Sequence, residues 1–355
     1  MLLKLLHYLR CPQCRSQLSL SEATVGDWVE QGQLLCTQCR RTYAITKGIA
    51  YLYVENEEWK QLAAEAAGWV QMAKDAGCYD QTGIDIDFRL PYVPIPPWID
   101  IARAFDIVLN IVRPRPGAMV VDIGAGRGWA AKQFAIRGCH AVAVEINDDD
   151  QIGLGRSLAL MQHANVQYDL LIASSQRLPL ADESFDIVFA SAALHHSSSL
   201  ATLLSEAARV LRRGGKLIAI HEPCIADHVT PEQDAPNIAQ ETAYNIHESR
   251  PKLDDYRHAL RHAGLQELAL FNHELYGTSI EDMQQWAANH WLSLLTADQI
   301  AMLRRKRTPT LWRTIRILRS RLQQLPDTTL VPPQDWMDQY YRHVGGSLTI
   351  IAQKP

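Results

Sequence analysis

Short apolar runs alternate with amphipathic stretches between about residues 116 and 223. Met119-Val120-Val121-Asp122-Ile123 and Ala141-Val142-Ala143-Val144-Glu145 are two such runs, and others occupy 166–171, 185–190 and 216–221. The first has the length and continuous apolar character of a strand buried on both faces, and the others have strand length. The segments between them, 128–137, 150–162 and 199–212, carry helical spacing. Strand and helix in alternation predict an α/β unit, with a parallel sheet covered by helices on both sides. Residues 265–271 read as a sixth strand, and 347–352 as a seventh lying antiparallel beside it. The stretch 272–346 is far too long for a hairpin and predicts a mostly helical insertion.

Upstream, Trp59, Leu62, Ala66, Trp69, Val70 and Met72 recur at helical spacing between Glu55 and Asp80, and Gly77 and Gly83 end the pattern. The proline-rich stretch Leu90–Pro97 cannot be helical. Trp98 to Val112 predicts another helix, closed by Pro114 and Pro116. The chain therefore divides into a first unit at 1–55, a helical linker at 56–115 and the α/β unit at 116–355, with insertions at 224–251 and 272–346. In the second insertion Leu311, Ile315, Leu318 and Leu322 share one helical face ringed by arginines. Residues 304–322 read either as a solvated basic face over a core stripe, or as a contact with an anionic membrane surface or a phosphate-bearing substrate.

The formal net charge of −4 argues against wholesale nucleic-acid binding. No apolar run is long enough to cross a bilayer. The first ten residues are apolar but broken by charge and lack a cleavage site, so no signal peptide is read and a cytoplasmic location is expected. Of the 7 cysteines, Cys11-Pro12-Gln13-Cys14 and Cys36-Thr37-Gln38-Cys39 form two C-x-x-C knuckles. Their separation of about twenty residues suits a closed, four-thiolate structural zinc ribbon in a reducing compartment. Cys78, Cys139 and Cys224 show no ligand spacing and are expected in the core.

The stretch Gly124-Ala125-Gly126-Arg127-Gly128 joins the first predicted strand of the α/β unit to a helix. Glycine tolerates positive φ and lets a ligand lie against bare main chain, and the helix start offers a partial positive charge. Glu145, at the end of the next strand, can accept both hydroxyls of an unmodified ribose. Dinucleotide enzymes favour G-x-G-x-x-G, whereas the spacing here is G-x-G-x-G with Asp122 two residues earlier. A nicotinamide site and a turn without any ligand remain open on these residues alone.

Asp122-Ile123-Gly124-Ala125-Gly126-Arg127-Gly128, with Val142-Ala143-Val144-Glu145, resembles motifs I and II of class I S-adenosylmethionine-dependent methyltransferases. Leu178-Pro179-Leu180-Ala181-Asp182-Glu183-Ser184-Phe185-Asp186-Ile187-Val188 resembles a run of the type 11 subfamily. So does Leu211-Arg212-Arg213-Gly214-Gly215-Lys216-Leu217, with Arg213 where proline is usual. Cys36 to Leu52 resembles the zinc-ribbon family that accompanies or activates methyltransferases. The resemblance implies a Rossmann-like seven-stranded sheet with a leading ribbon, S-adenosylmethionine as cofactor and structural zinc on Cys11, Cys14, Cys36 and Cys39. It implies cofactor contacts from Asp122, Gly124, Ala125, Gly126, Gly128, Glu145, Ile146, Ser174, Ser175 and Ala190. Ser174 stands where the family usually has an acid beside the adenine amino group, so loop backbone is expected to share that work. Leu194-His195-His196 falls where the family often places a histidine pair near the transferred methyl. His195, His196 and His221 are candidate proton acceptors, and each reads equally as a structural group. Glu222 would orient His221, and Tyr79 and Tyr92 are candidate lid residues.

The expected function is methyl transfer to a small-molecule, lipid-linked or glycan acceptor. RNA methylation with the ribbon on RNA, and a non-catalytic cofactor-binding scaffold, are the alternatives. Acceptor identity and oligomeric state are not legible.

Overall fold

The computed structural model describes residues 1–21, 27–79, 86–276 and 334–355. Four short strands come first: β1 (Leu18–Ser21), β2 (Gly32–Cys36), β3 (Thr42–Thr46) and β4 (Ile49–Tyr51). Three helices follow, α1 (Glu57–Asp75), α2 (Ile86–Arg89) and α3 (Trp98–Val112). The alternating unit is β5 (Met119–Ile123), α4 (Trp129–Ile136), β6 (His140–Glu145), α5 (Ser157–Ala164), β7 (Asp169–Ile172), β8 (Phe185–Ser191), α6 (Leu200–Val210) and β9 (Leu211–Cys224). Short helices α7 (Pro231–Asp234) and α8 (Ala239–Ala243) lead to α9 (Leu253–His262), β10 (Gln266–Phe271), α10 (Gln334–His343) and β11 (Gly346–Gln353).

All the strands among the described residues join in one sheet ordered β1-β2-β3-β4-β7-β6-β5-β8-β9-β11-β10. The expected seven strands are present, with β11 antiparallel between β9 and β10. The sheet nevertheless has 11 strands rather than seven, because the ribbon adds to its edge. Ile49, Ala50 and Tyr51 of β4 pair in parallel with Leu170, Leu171 and Ile172 of β7. Left bare, that edge of β7 would expose a row of unpaired N–H and C=O groups. The ribbon also shares the core of one face, where Met1, Leu5, Leu9, Leu34 and Ile45 pack in one cluster with Val121, Leu178, Leu180 and Phe185. Along β5 the side chains alternate. Val121 and Ile123 enter that cluster, while Val120 faces a second one built around Phe105, Trp129, Phe134 and Phe189.

The helix expected over 150–162 begins only at Ser157. Before it, the Asp149 carboxylate accepts from the N–H groups of Gln151 and Ile152 at 2.7 and 3.1 Å. Such a local side-chain acceptor competes with helical pairing. The strand expected over 166–171 is Asp169–Ile172, and the one expected over 216–221 runs from Leu211 to Cys224. The basic stretch 304–322, and most of the insertion at 272–346, lie outside the described residues.

Helix α1 lies across the carboxyl ends of the central strands. Its N-cap Asn56 accepts from the Trp59 N–H at 2.8 Å. Asn147 donates to the Ala66 carbonyl at 3.4 Å, and Tyr244 donates to Asp75 at 2.8 Å. Gly68 lets the helix come down onto the 244–246 segment, since a Cβ there would collide with the Tyr244 carbonyl oxygen. Strand β5 sits between β6 and β8, the point where strand order reverses, and the crevice under α1 opens there.

Candidate active site and metal centre

A cavity of about 450 Å³ lies between α1 and the strand ends, within the usual range of about 300–1,000 Å³ for small-ligand sites. Its floor is Ile123, Gly124, Gly126 and Arg127 after β5, and Val144, Glu145, Ile146 and Asn147 after β6. Ala173, Ser175 and Gln176 after β7 line one end, and Ala192, Ala193, His196 and Ser197 after β8 line the other. Leu62, Glu65, Trp69 and Met72 of α1 form the roof, and Gln240 of α8 closes a side.

The three glycines of the loop do different work. All have positive φ: +64°, +52° and +78° for Gly124, Gly126 and Gly128. A Cβ on Gly124 would sit 2.6 Å from that of Ala193, and one on Gly128 would strike the Ser157 hydroxyl. Of the three, Gly126 faces open space, and it and Gly124 line the cavity with main chain.

Glu145 is held by three N–H groups. Gly126 donates to Oε2 at 2.8 Å, and Ile146 and Asn147 donate to Oε1 at 2.7 and 3.3 Å. Burial nevertheless leaves its carboxyl above the usual range. Asp122 does not line the cavity. It lies beneath it, 2% exposed, and accepts from the Ala131 N–H in the first turn of α4 at 3.0 Å. Burial, with the charge of Glu145 nearby, pushes it up to about 8. Glu65 in the roof is raised to about 7 by the same loss of water, and Glu145 adds to the shift.

The histidines separate by environment. His195 is buried, with Nδ1 2.8 Å from Glu222 Oε2. Glu222 is fully buried and also accepts from the N–H groups of Ala193, Leu194 and His195 at 2.9, 3.1 and 3.3 Å. Burial disfavours imidazolium, but Glu222 outweighs it and His195 is raised. The partner expected for His221 therefore belongs to His195. His221 has φ +57° and is lowered by burial, with Nδ1 3.4 Å from the Ser347 hydroxyl and no place in the cavity lining. His196 does line the cavity. Its Nδ1 sits 2.7 Å from the His247 carbonyl, which fixes the proton there and leaves the Nε2 lone pair free. Burial and the charge of His195 drive it down to about 4. Trp69 packs edge-on against its ring at 5.3 Å.

Of the residues expected at the cofactor, Gly124, Gly126, Glu145, Ile146 and Ser175 meet around the cavity. Ala125, Gly128 and Ala190 lie outside its lining and support it from behind. The Ser174 hydroxyl is turned to Glu58 on α1 at 3.0 Å. Tyr79 donates to Asp149 at 2.8 Å and Tyr92 to Asp106 at 2.7 Å, and neither lines the cavity. The roof role falls instead to α1, whose apolar spacing was visible in sequence, while Glu248, 3.6 Å from His195 Nε2 and 3.3 Å from His196 Nδ1, carried no local signal.

In the ribbon, the Cys11, Cys14, Cys36 and Cys39 sulfurs lie within 4.8 Å of one another. Cys11 and Cys39 are 3.6 Å apart, and Cys14 and Cys36 are 3.5 Å apart. Tetrahedral Zn–S bonds of about 2.3 Å require S···S separations of roughly 3.8 Å. The Cys39 N–H points at the Cys36 sulfur at 3.4 Å, as a thiolate acceptor invites. Donor set and spacing both fit a closed structural zinc site.

Residues 121–219 match the methyltransferase domain family, and residues 3–48 match the Trm112p-like family. The chain carries a methyltransferase domain behind a Trm112p-like ribbon. That methyltransferase domain holds the glycine loop, Glu145 and the histidine pair. Dimethylglycine N-methyltransferase of Parasynechococcus marenigrum is 32% identical over 36% of this chain and 45% of its own. Sterol methyltransferase-like 1 of Botryococcus braunii is 28% identical over 57% of this chain and 44% of its own. 27-O-demethylrifamycin SV methyltransferase of Amycolatopsis mediterranei is 28% identical over 53% and 65%. The chain thus spans less than half the length of the first two of these relatives. Among solved structures, phosphoethanolamine N-methyltransferase 2 of Haemonchus contortus overlaps 81% of this chain and 60% of its own, at 15% identity and a TM-score of 0.48. Among the described residues no helix is long and apolar enough to cross a membrane.

Proposed function

We propose that the protein is an S-adenosylmethionine-dependent methyltransferase acting on a small-molecule acceptor. The observation that carries this reading is a single wall of the cavity. There the open main chain at Gly126 and the N–H-anchored carboxylate of Glu145 lie side by side inside a methyltransferase domain. Glu145 would accept from the ribose hydroxyls, Ser175, Gln176 and Ile146 would surround adenine, and the 124–126 backbone would run along the methionine moiety. S-adenosylmethionine supplies a methyl group on a sulfonium, an electrophile that needs no acid to leave. The chain's task is then to align the acceptor, exclude water and remove a proton. Trp69, Leu62 and Met72 roof the cavity against water. His196, neutral at physiological pH and with Nε2 free, is the group placed to take a proton from the acceptor. His195, whose imidazole is raised above its usual range by Glu222 and clamped by it, holds the turn that carries His196.

The acceptor class draws support from the relatives, which are named for amines, sterols and a rifamycin. RNA gains nothing from them or from a net charge of −4. The zinc assigned to the four cysteines would be structural, since four protein ligands leave no open position. Calorimetry of the wild type and of Glu145→Ala tests the cofactor. Loss of the anchoring carboxylate is expected to weaken binding at least thirtyfold, about 2 kcal/mol. Unchanged affinity would falsify the assignment. Methyl transfer from isotopically labelled cofactor into cell extract, fractionated into RNA, protein, lipid and small metabolites, tests the acceptor. Label confined to RNA, or no label at all, would leave the alternatives standing.

A further inference from the structure

The turn that brings Ser175 and Gln176 into the cavity is gripped from the ribbon. Arg177, the last residue of that turn, donates through Nε to the Pro12 carbonyl and through Nη2 to the Gln13 carbonyl at 2.9 Å. Pro12 and Gln13 are the two residues between Cys11 and Cys14, the first knuckle of the four-thiol cluster. At its other end the turn is tied to the roof, through the bond from Ser174 to Glu58 on α1. It is therefore stretched between metal site and lid, with the cavity-lining residues in the middle.

Two of the other bonds around 178–181 do not depend on the knuckle. Arg10 N–H donates to the Pro179 carbonyl at 2.9 Å and Ala181 N–H to the Tyr8 carbonyl at 2.7 Å, and both ribbon residues precede Cys11. Leu178 N–H donates to Glu206 on α6 at 3.0 Å, a carboxylate that Arg209 holds from within α6 and that the half-exposed Arg15, next after Cys14, also reaches at 2.9 Å. Arg177 is the contact whose acceptors lie inside the knuckle, between the two cysteines. Thiolates bound to a metal at Cys11 and Cys14 would hold the intervening carbonyls in a fixed fork, and a guanidinium matches two fixed acceptors with its rigid donors. Pro12 is buried but Gln13 is exposed, so without a metal the Gln13 carbonyl has no buried side chain of its own residue to keep it in place.

We infer that Arg177 is a positioning residue through which the occupied four-cysteine site sets the affinity of the cavity for S-adenosylmethionine. The inference rests on reading the cavity as the cofactor site. Coupling of this kind is reciprocal, so the cofactor should also tighten the equilibrium binding of the metal.

The test is calorimetry of S-adenosylmethionine on the full chain, zinc-loaded and after chelation under reducing conditions, for wild type and Arg177→Ala. Metal content is measured alongside, and hydrogen exchange at 174–178 is followed by mass spectrometry. Losing the charged hydrogen bonds of Arg177 should raise Kd about tenfold while the zinc content stays full, and should speed exchange at 174–178. Chelation should raise the wild-type Kd by a similar factor and leave that of Arg177→Ala nearly unchanged, because the two changes cut the same link. Arg177→Lys, which keeps charge but not the two-pronged donor, should fall between. Wild-type protein that never binds the cofactor would remove the reading of the cavity itself. Zinc-loaded wild type that binds, with zinc-loaded Arg177→Ala binding equally well, overturns the coupling. That result overturns the coupling even if the chelated protein unfolds.

Discussion

At the scale of single residues, Asp122 and Glu222 are two buried carboxylates with opposite titration behaviour, and each predicts a pH dependence. Asp122 has one backbone donor, and its carboxyl lies at about 8 against 3.8 in an unfolded chain. The folded state therefore keeps a proton that the unfolded chain has released, and stability must fall as pH rises from about 4 toward 8. Asp122→Asn keeps an acceptor for the Ala131 N–H and cannot ionise. Urea midpoints at pH 5 and pH 8 should converge in this variant, and an undiminished alkaline loss would count against the burial argument. Glu222 is instead lowered, because burial is outweighed by His195 and the backbone donors. Its contribution is present above the usual 4.5 and is lost as pH falls through the depressed value. His195 is raised, so its contribution is present below 6.5 and is lost as pH rises through the raised value. Together they stabilise most between those limits. Glu222→Gln should cost about 3 kcal/mol and bring the His195 titration down, as chemical-shift titration of its ring would register.

At the scale of elements, α1 decides whether the cavity is roofed. Gly68 lies mid-helix, where alanine would normally favour the helix by about 1 kcal/mol. Here the Tyr244 carbonyl oxygen occupies the place of its Cβ. Gly68→Ala should therefore leave α1 helical but lift it from the 244–246 segment, and cofactor dissociation should quicken by about tenfold. Stopped-flow release at unchanged far-ultraviolet circular dichroism is the measurement. An unaltered off-rate would mean that α1 is not the lid. The apolar stripe of α1 could be read from periodicity. Its seat could not, because the glycine that permits the approach looks unfavourable within the helix itself.

At the scale of the whole molecule, ribbon and core share an eleven-stranded sheet and one apolar cluster. Independent folding would let chelation unfold 1–55 and spare the rest. Continuity across β4 and β7 predicts instead one cooperative transition whose midpoint drops when zinc is removed, by about 1–2 °C for each kcal/mol lost in a unit of this size. Scanning calorimetry giving two separated transitions would contradict it. What could be determined from the sequence were features encoded by near neighbours. Strand and helix periods, the glycines at 124, 126 and 128, the acid at 145 and the paired cysteines each declare themselves within a few residues. Only the tertiary structure decided which distant groups meet: Glu222 with His195 rather than with its neighbour His221, Arg177 with the first knuckle, and the ribbon on the edge of β7. Spacing along the chain sets local conformation, whereas these contacts depend on which strand ends and loops the topology brings together. Adjacent residues on a strand point to opposite faces, so sequence proximity at Glu222 pointed to the wrong partner.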